Sequence, residues 1–333
     1  MDILSTLQAL NACHGPSGNE SGVAAAIRTL AAPYADEITA DTLGNLIVHK
    51  KGSGPRVMFA AHMDSIGCIV THVDEKGFVR FGKLGGLSAH EIAFTPVRFQ
   101  NGVRGVICAP ENVEPKDWKT DDLYIDIGAR DQEEARRLVD LGDTAVYAAE
   151  SYAAGGRLVS PYMDNRISCV VLLMALEQLR ESQNDLYFVF TVQEEVGIRG
   201  AKTAAFGIDP VYAVAVDVTS TDDELGSKHG STSKLGGGAA VKVMDSSVLC
   251  HPSMVARLTA LAEEKGIPAQ RDIIRAGGTD AGAIHQSRAG VYTGGISVPC
   301  RYIHTPQEMV DAGDVEACAK LVAAFAEAEL PQA

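Results

Sequence analysis

The sequence is short of several features, and each shortage removes a class of function. Its seven cysteines fall singly at 13, 68, 108, 169, 250, 300 and 318, with no Cys-x-x-Cys pair. An odd, scattered set argues against a disulfide framework and makes a reducing cytoplasm the expected compartment. No uninterrupted apolar stretch reaches the roughly 18 to 20 residues that a membrane span needs. The start, Met1-Asp-Ile-Leu-Ser-Thr-Leu-Gln8, lacks the basic region and apolar run of an export signal. Basic residues are outnumbered, 29 against 43 acidic, for a formal charge of -14. That excess argues against nucleic acid or an anionic membrane as the main partner. A Walker loop, a dinucleotide fingerprint and a His-Glu-x-x-His helix are missing, as are internal repeats and low-complexity tracts. Ser231-Thr-Ser-Lys234 fits Ser-x-x-Lys, but no companion motif of a serine acylase accompanies it.

What is present reads as an ordinary globular chain. Its 333 residues, 46% hydrophobic and 22% charged, suit one large domain or two. Helical periodicity covers 2–12 and 19–32, and Ser17 with Glu20 is spaced as a capping box for the second helix. Leu46-Ile-Val48 and Val57-Met-Phe-Ala-Ala61 read as buried strands. Between about 66 and 158 the texture changes to short alternating runs separated by glycine-bearing turns, such as Ile69–Val73, Phe78–Phe81, Pro96–Phe99, Val103–Ile107 and Leu123–Ile127, with one helix at 132–140. After Pro161 helix and strand alternate again. Helices are expected at 166–180, 252–265 and 313–329, and strands at 185–193, 211–218 and 290–298. An α/β sheet domain, 1–65 and 159–333, interrupted by a β-rich insertion, 66–158, explains this order better than two consecutive domains.

Four apolar runs end in side chains able to bind metal. His62 follows Val57–Ala61, Glu194 and Glu195 follow Leu186–Gln193, Asp217 ends Val211–Val216, and His304 follows Gly295–Ile303. In open α/β sheets the carboxyl ends of parallel strands form the ligand crevice, so these four ends converge if the strands run parallel. Each signal alone is weak. His62-Met-Asp64 also suits a satisfied histidine at a strand end, with Asp64 receiving its second N–H. Asp164, just before the apolar helix, also suits an N-cap, although its two oxygens could bridge two cations. The remaining histidines, 14, 49, 72, 90, 229, 251 and 285, have no comparable placement.

Together His62, Asp164, Asp217, His304 and one glutamate offer two nitrogens and three carboxylates, a set suited to two divalent ions roughly 3.5 to 4 Å apart. The other glutamate is then free to take a proton from water and pass it to a leaving amine. Consecutive strand residues face opposite ways, so both glutamates reach one site only if the strand ends or bulges there, as Val196-Gly197 permits. Gly277-Gly-Thr-Asp-Ala-Gly282 is either a tight loop against substrate or a plain turn.

These segments resemble the M42 family of metallo-aminopeptidases, the glutamyl and tetrahedral aminopeptidase group. The matching stretches are Ala61-His-Met-Asp64, Met163-Asp-Asn-Arg166, Thr191-Val-Gln-Glu-Glu-Val-Gly197, Ala215-Val-Asp217, Gly277–Gly282 and Ser297-Val-Pro-Cys-Arg-Tyr-Ile-His304, in the family's order. The likeness begins at Gly15-Pro-Ser-Gly18 and Leu43-Gly-Asn-Leu46 and runs to the last helix. It implies a metallopeptidase (phosphorylase/hydrolase-like) α/β domain sandwiched by helices, with an inserted β-rich domain that helps build dimers and often twelve-subunit tetrahedral particles. It further implies that His62 and Asp217 complete one metal site, Glu195 and His304 the other, and that Asp164 bridges them. Glu194 would be the general base and Asp64 the residue that orients His62. The expected cofactors are two divalent ions, zinc or cobalt first and manganese after them, and the expected substrates are short peptides. Gly294-Gly295 stands where the family commonly has a bulkier residue, a difference that either loosens packing or shapes a pocket.

Two other activities compete. A deacylase or carboxypeptidase could use similar ligands with a different substrate clamp. A glycosidase needs two carboxylates about 5 to 9.5 Å apart and usually no histidine ligands, which the two histidines here disfavour. The preferred side chain is not fixed. Lys228 and Lys234 lie in a loop that could reach a specificity pocket, but solvated lysines are the better reading.

Overall fold

Four apolar runs form the centre of one sheet. Asp185–Thr191, Arg56–His62, Tyr212–Ser220 and Tyr292–Arg301 lie side by side in that order, all parallel. They read as nearly unbroken apolar sequence because both faces of the sheet are covered. Val57, Phe59 and Ala61 point into the core built with the helices Met163–Gln178 and Ala312–Glu327. Met58 and Ala60 point the other way, under the helix Arg199–Ile208. The computed structural model describes residues 1–228 and 230–332, so His229 lies outside the described residues.

Around this centre the sheet reaches eleven strands among the described residues. Leu46–Lys50 and Glu37–Ala40 extend one side. On the other side Glu308–Asp311, Arg157–Ser160 and Tyr152–Ala154 continue antiparallel, while Ala239–Met244 and Ala269–Ile273 branch from Tyr292–Arg301. Between the strands Arg56–His62 and Tyr152–Ala154 the chain forms a closed barrel of six strands, the first Gly67–Val73 and the last Thr144–Tyr147, around its own apolar core. No helix among the described residues is long and apolar enough to cross a membrane.

Register sets the level of the ligand crevice. Thr191 pairs with His62, and Ala215 pairs with Ala60, where the pairing of those two strands stops. Asp217, two residues further on, therefore stands level with His62. It does not end its strand, which continues to Ser220 against Cys300. The reason is that Tyr292–Arg301 goes on supplying backbone partners after Arg56–His62 has finished.

Two local expectations are corrected. The capping box at Ser17 and Glu20 does not form: the helix is Ser21–Ala31 with Glu20 at its N-cap and no side-chain cap, and the Ser17 hydroxyl donates to Asp64 at 2.6 Å instead. Gly294 and Gly295 do not loosen the packing. A Cβ on Gly294 would stand 3.1 Å from Leu258, and one on Gly295 would stand 2.8 Å from the Cβ of Lys242, so neighbouring side chains already occupy the space.

Arg166 ties the N-terminal segment to the central helix. It is 1% exposed, and its guanidinium donates to the carbonyls of Leu10, Cys13 and Gly15 over the ring of Tyr162. Removing it takes one donor from each of these carbonyls; Leu10 and Gly15 keep the N–H groups of Cys13 and Ser65, while the Cys13 carbonyl loses the donor it has here. Arg166→Met should lower the unfolding free energy by about 3 kcal/mol in a urea titration; a loss below about 1 kcal/mol would show that water replaces the donors.

Candidate metal centre

The strand Asp185–Thr191 ends sooner than its apolar sequence suggests, because side chains from elsewhere capture the backbone that follows. The N–H groups of Val192, Gln193, Glu194 and Glu195 donate in turn to Asn45 Oδ1, Glu20 Oε1, Asp64 Oδ1 and Asp64 Oδ2, at 3.0 to 3.2 Å. All three acceptor side chains are buried. Gln193 takes a left-handed φ of 55°, which breaks the strand alternation. Both glutamate side chains then face the same cavity.

In that cavity Asp164 lies between two imidazoles. Its Oδ1 is 3.1 Å from His62 Nε2, and its Oδ2 is 3.3 Å from His304 Nε2. His62 Nε2 is also 3.9 Å from both Asp217 Oδ1 and Glu194 Oε2, while His304 Nε2 is 3.3 Å from Glu195 Oε1. Asp164 caps no helix. Its own φ and ψ are non-helical at the start of Met163–Gln178, and the N-cap position makes no side-chain hydrogen bond.

The other ring nitrogen of His62 is oriented from Asp64. His62 Nδ1 is 3.1 Å from the Asp64 main-chain carbonyl, which can only accept, and 3.4 Å from the Asp64 carboxylate. Nδ1 is therefore the donor there, and Nε2 is the nitrogen presented to the cavity. His304, three residues past the end of its strand, has a left-handed φ of 68°. Glu308 holds this turn: its Oε1 accepts from His304 N at 2.7 Å and its Oε2 from Asp164 N at 2.9 Å. The barrel supplies a wall through Gly86, where a Cβ would stand 2.5 Å from His304 Nδ1.

Burial governs the electrostatics. It pushes Glu194 and Asp217 well above the ordinary carboxylate range, with the His62 charge pulling the other way, and it raises Glu195 against the hydrogen bond from His304. For Asp164 burial also raises, but the hydrogen bonds from His304 and His62 outweigh it and hold the carboxyl below its usual range. So many acids in so small a space need positive charge. Donor atoms of His62, Asp164 and Glu195 lie within 4.8 Å of one another, and the buried Glu195 Oε1 has His304 Nε2 beside it at 3.3 Å. Imidazole nitrogens with carboxylate oxygens fit divalent ions of the zinc, cobalt or manganese type.

The cavity holds about 390 Å³ and is lined by His62, Asp164, Glu194, Glu195, Asp217 and His304, all six of the residues expected to carry ligands or the base. Asp64 lies behind them, fully buried. Gly277, Gly278 and Thr279 line the cavity, so that glycine-rich segment is a wall of the site. Lys228 and Lys234 are exposed and outside its lining, and no other described histidine lines it. Ser231 donates to the Ser220 carbonyl and Ser233 to Asp272, which leaves the Ser-x-x-Lys segment structural. Sequence reasoning missed Glu20 as a backbone acceptor, Asn45 and Glu308. Asn45 did stand in a quoted stretch, Leu43-Gly-Asn-Leu46, whereas Glu308 gave no signal beyond its place four residues after His304.

An α/β sheet with clustered imidazoles and carboxylates at the ends of its parallel strands defines a metal-dependent hydrolase class. Within it, the profile of the family described as M42 glutamyl aminopeptidase matches residues 44–321, and the chain belongs to that family. It is an aminopeptidase, a hydrolase of peptide bonds. A lysyl aminopeptidase of Pyrococcus furiosus is 36% identical over 329 residues, covering 94% of this chain and 93% of that one. The structure of an aminopeptidase from the archaeon Desulfurococcus kamchatkensis superposes with a TM-score of 0.94 at 38% identity, covering 98% and 94% of the two chains. A TET1 peptidase of Pyrococcus horikoshii, which can assemble into a tetrahedron or a large octahedral shell, matches with a TM-score of 0.86 at 32% identity, covering 98% and 99%.

The Glu308 bridge generates a test. Glu308→Gln replaces one acceptor oxygen by an NH2 that faces a backbone N–H, so one of the two ligand-bearing segments loses its anchor. Metal affinity, measured by competition with a chromogenic chelator, should weaken about 10- to 100-fold; unchanged affinity would mean that the backbone holds the ligands without Glu308.

Proposed function

We propose that this aminopeptidase removes N-terminal residues from short peptides with two divalent ions, zinc or cobalt, with manganese as the third choice. His62 and Asp217 serve one ion, His304 and Glu195 the other, and Asp164 both. The observation that carries this reading is the separation of the two Asp164 oxygens, one facing each histidine. A single ion would need only one of them. Bound there, such ions supply positive charge to a peptide carbonyl and acidify water.

The chain's own residues do the rest. Of the two cavity carboxylates without a ligand role, Asp245 is engaged by Ser247, Val248 and Thr279, whereas Glu194 stands beside His62, and burial raises its proton affinity. It takes a proton from the attacking water and delivers it to the nitrogen of the leaving amine. Asp64 keeps Glu194 in place through its backbone N–H and sets the tautomer of His62. The ligand set of two histidines does not favour a glycosidase, whose chemistry needs only a carboxylate pair. We assign residues 1–65 and 159–333 to the catalytic domain and 66–158 to an inserted module that carries subunit contacts, except that the strands Tyr152–Ala154 and Arg157–Ser160 at the seam belong to the catalytic sheet. Self-association into dimers and a dodecamer is supported by a related structure that is itself a dodecamer, with a TM-score of 0.90 at 32% identity. A reducing cytoplasm agrees with seven free cysteines, five of them buried.

Glu194→Gln tests the division of labour between the paired glutamates. The variant should keep its metal content by elemental analysis and lose about 10²- to 10⁴-fold in kcat on free-amine aminoacyl substrates. Undiminished turnover would remove Glu194 as the base. Wild-type preference for N-acetylated peptides would instead favour the deacylase reading.

A further inference from the structure

We infer that Lys242, neutralised by Asp272, forms an inner wall of the catalytic cavity that selects N-terminal residues with uncharged aliphatic side chains, Asp272 being the residue that keeps acidic ones out. This rests on the aminopeptidase reading above and names its substrate class.

Lys242 lies mid-strand in Ala239–Met244, opposite Gly295 on one side and Asp272 on the other. Only a glycine at 295 leaves it room, because a Cβ there would stand 2.8 Å from its own Cβ. The lysine is 2% exposed yet lines the cavity, and its Nζ is 2.5 Å from Asp272 Oδ2. An unpaired ammonium at such burial would be costly, so the pair is what permits a lysine here. Asp272 is itself held fast: its Oδ1 accepts from Thr219 and Ser233, both at 3.0 Å.

The remaining wall offers no free charge to a substrate side chain. Asp245 also lines the cavity, but its Oδ1 accepts from Ser247 and Val248 and its Oδ2 from Thr279. Ile198, Ile274 and Ile303 supply apolar surface. A substrate carboxylate would compete with Asp272 for one ammonium and sit near a second carboxylate, Asp245. A substrate ammonium would meet the Lys242 charge with both carboxylates already engaged. An aliphatic side chain meets neither cost and gains contact with the isoleucines.

The test is a panel of leucyl, glutamyl and lysyl 4-nitroanilides with the metal-loaded enzyme. Wild type should favour leucyl over both charged substrates by about tenfold or more in kcat/KM. Asp272→Asn, which frees the ammonium, should raise the glutamyl-to-leucyl ratio about tenfold or more, and adding Lys242→Met to it should abolish that gain. A wild-type preference for glutamyl or lysyl substrate overturns the proposal even if the variants do not fold. So does an unmoved ratio in an Asp272→Asn protein with native circular dichroism and metal content. Metal-loaded wild type that cleaves none of the three would count against the aminopeptidase reading itself.

Discussion

Everything at the site depends on how Val192–Glu195 leaves the sheet. Continued as a strand, that segment would send Glu194 and Glu195 to opposite faces, and one carboxylate would be buried in a helix-covered core. Instead, three buried side chains from three other parts of the chain, Glu20, Asn45 and Asp64, accept its backbone N–H groups. Losing any one acceptor would leave a buried donor unpaired, a cost of about 1 to 3 kcal/mol. The turn is therefore fixed by tertiary structure rather than by its own sequence.

Asp64 extends that constraint to the rest of the centre. The same carboxylate that holds both glutamates receives the Ser17 hydroxyl and stands beside His62, whose strand runs alongside Asp185–Thr191. Glu308 does the equivalent for the opposite side by joining the backbones of Asp164 and His304. Two buried carboxylates outside the proposed ligand set thus fix the distance between the histidines. Strand register brings Asp217 level with them, and the barrel closes over His304 at Gly86.

The sheet centre was legible in the sequence because strands covered on both faces leave long apolar runs, and Val57–Ala61 and Leu186–Val192 are unmistakable. The converging strand ends followed from the same pattern. Short, polar or edge strands were not legible: Glu37–Ala40 is largely exposed, and in Ala269–Ile273 only Asp272 is buried, the reverse of an apolar strand's signal. Ala239–Met244 was hidden by Lys242, which looks like a solvent residue until Asp272 and Gly295 are placed beside it. Ser17 and Glu20 were misread as a capping box because local spacing cannot reveal that both side chains are engaged by partners distant in sequence, Asp64 and the backbone of Gln193. The glutamate pair was legible as an anomaly, the donor count left one of its carboxylates free, and the proposed choice of Glu194 as the free one rests on the family resemblance.

The central claim is that one carboxylate, Asp164, is shared by two ions while Glu194 serves neither. Anomalous diffraction from crystals of the zinc-loaded protein tests it most directly. The account predicts two peaks per subunit, one against His62 and Asp217 and one against His304 and Glu195, each with one Asp164 oxygen as a ligand. A single peak, or a peak ligated by Glu194, would contradict it.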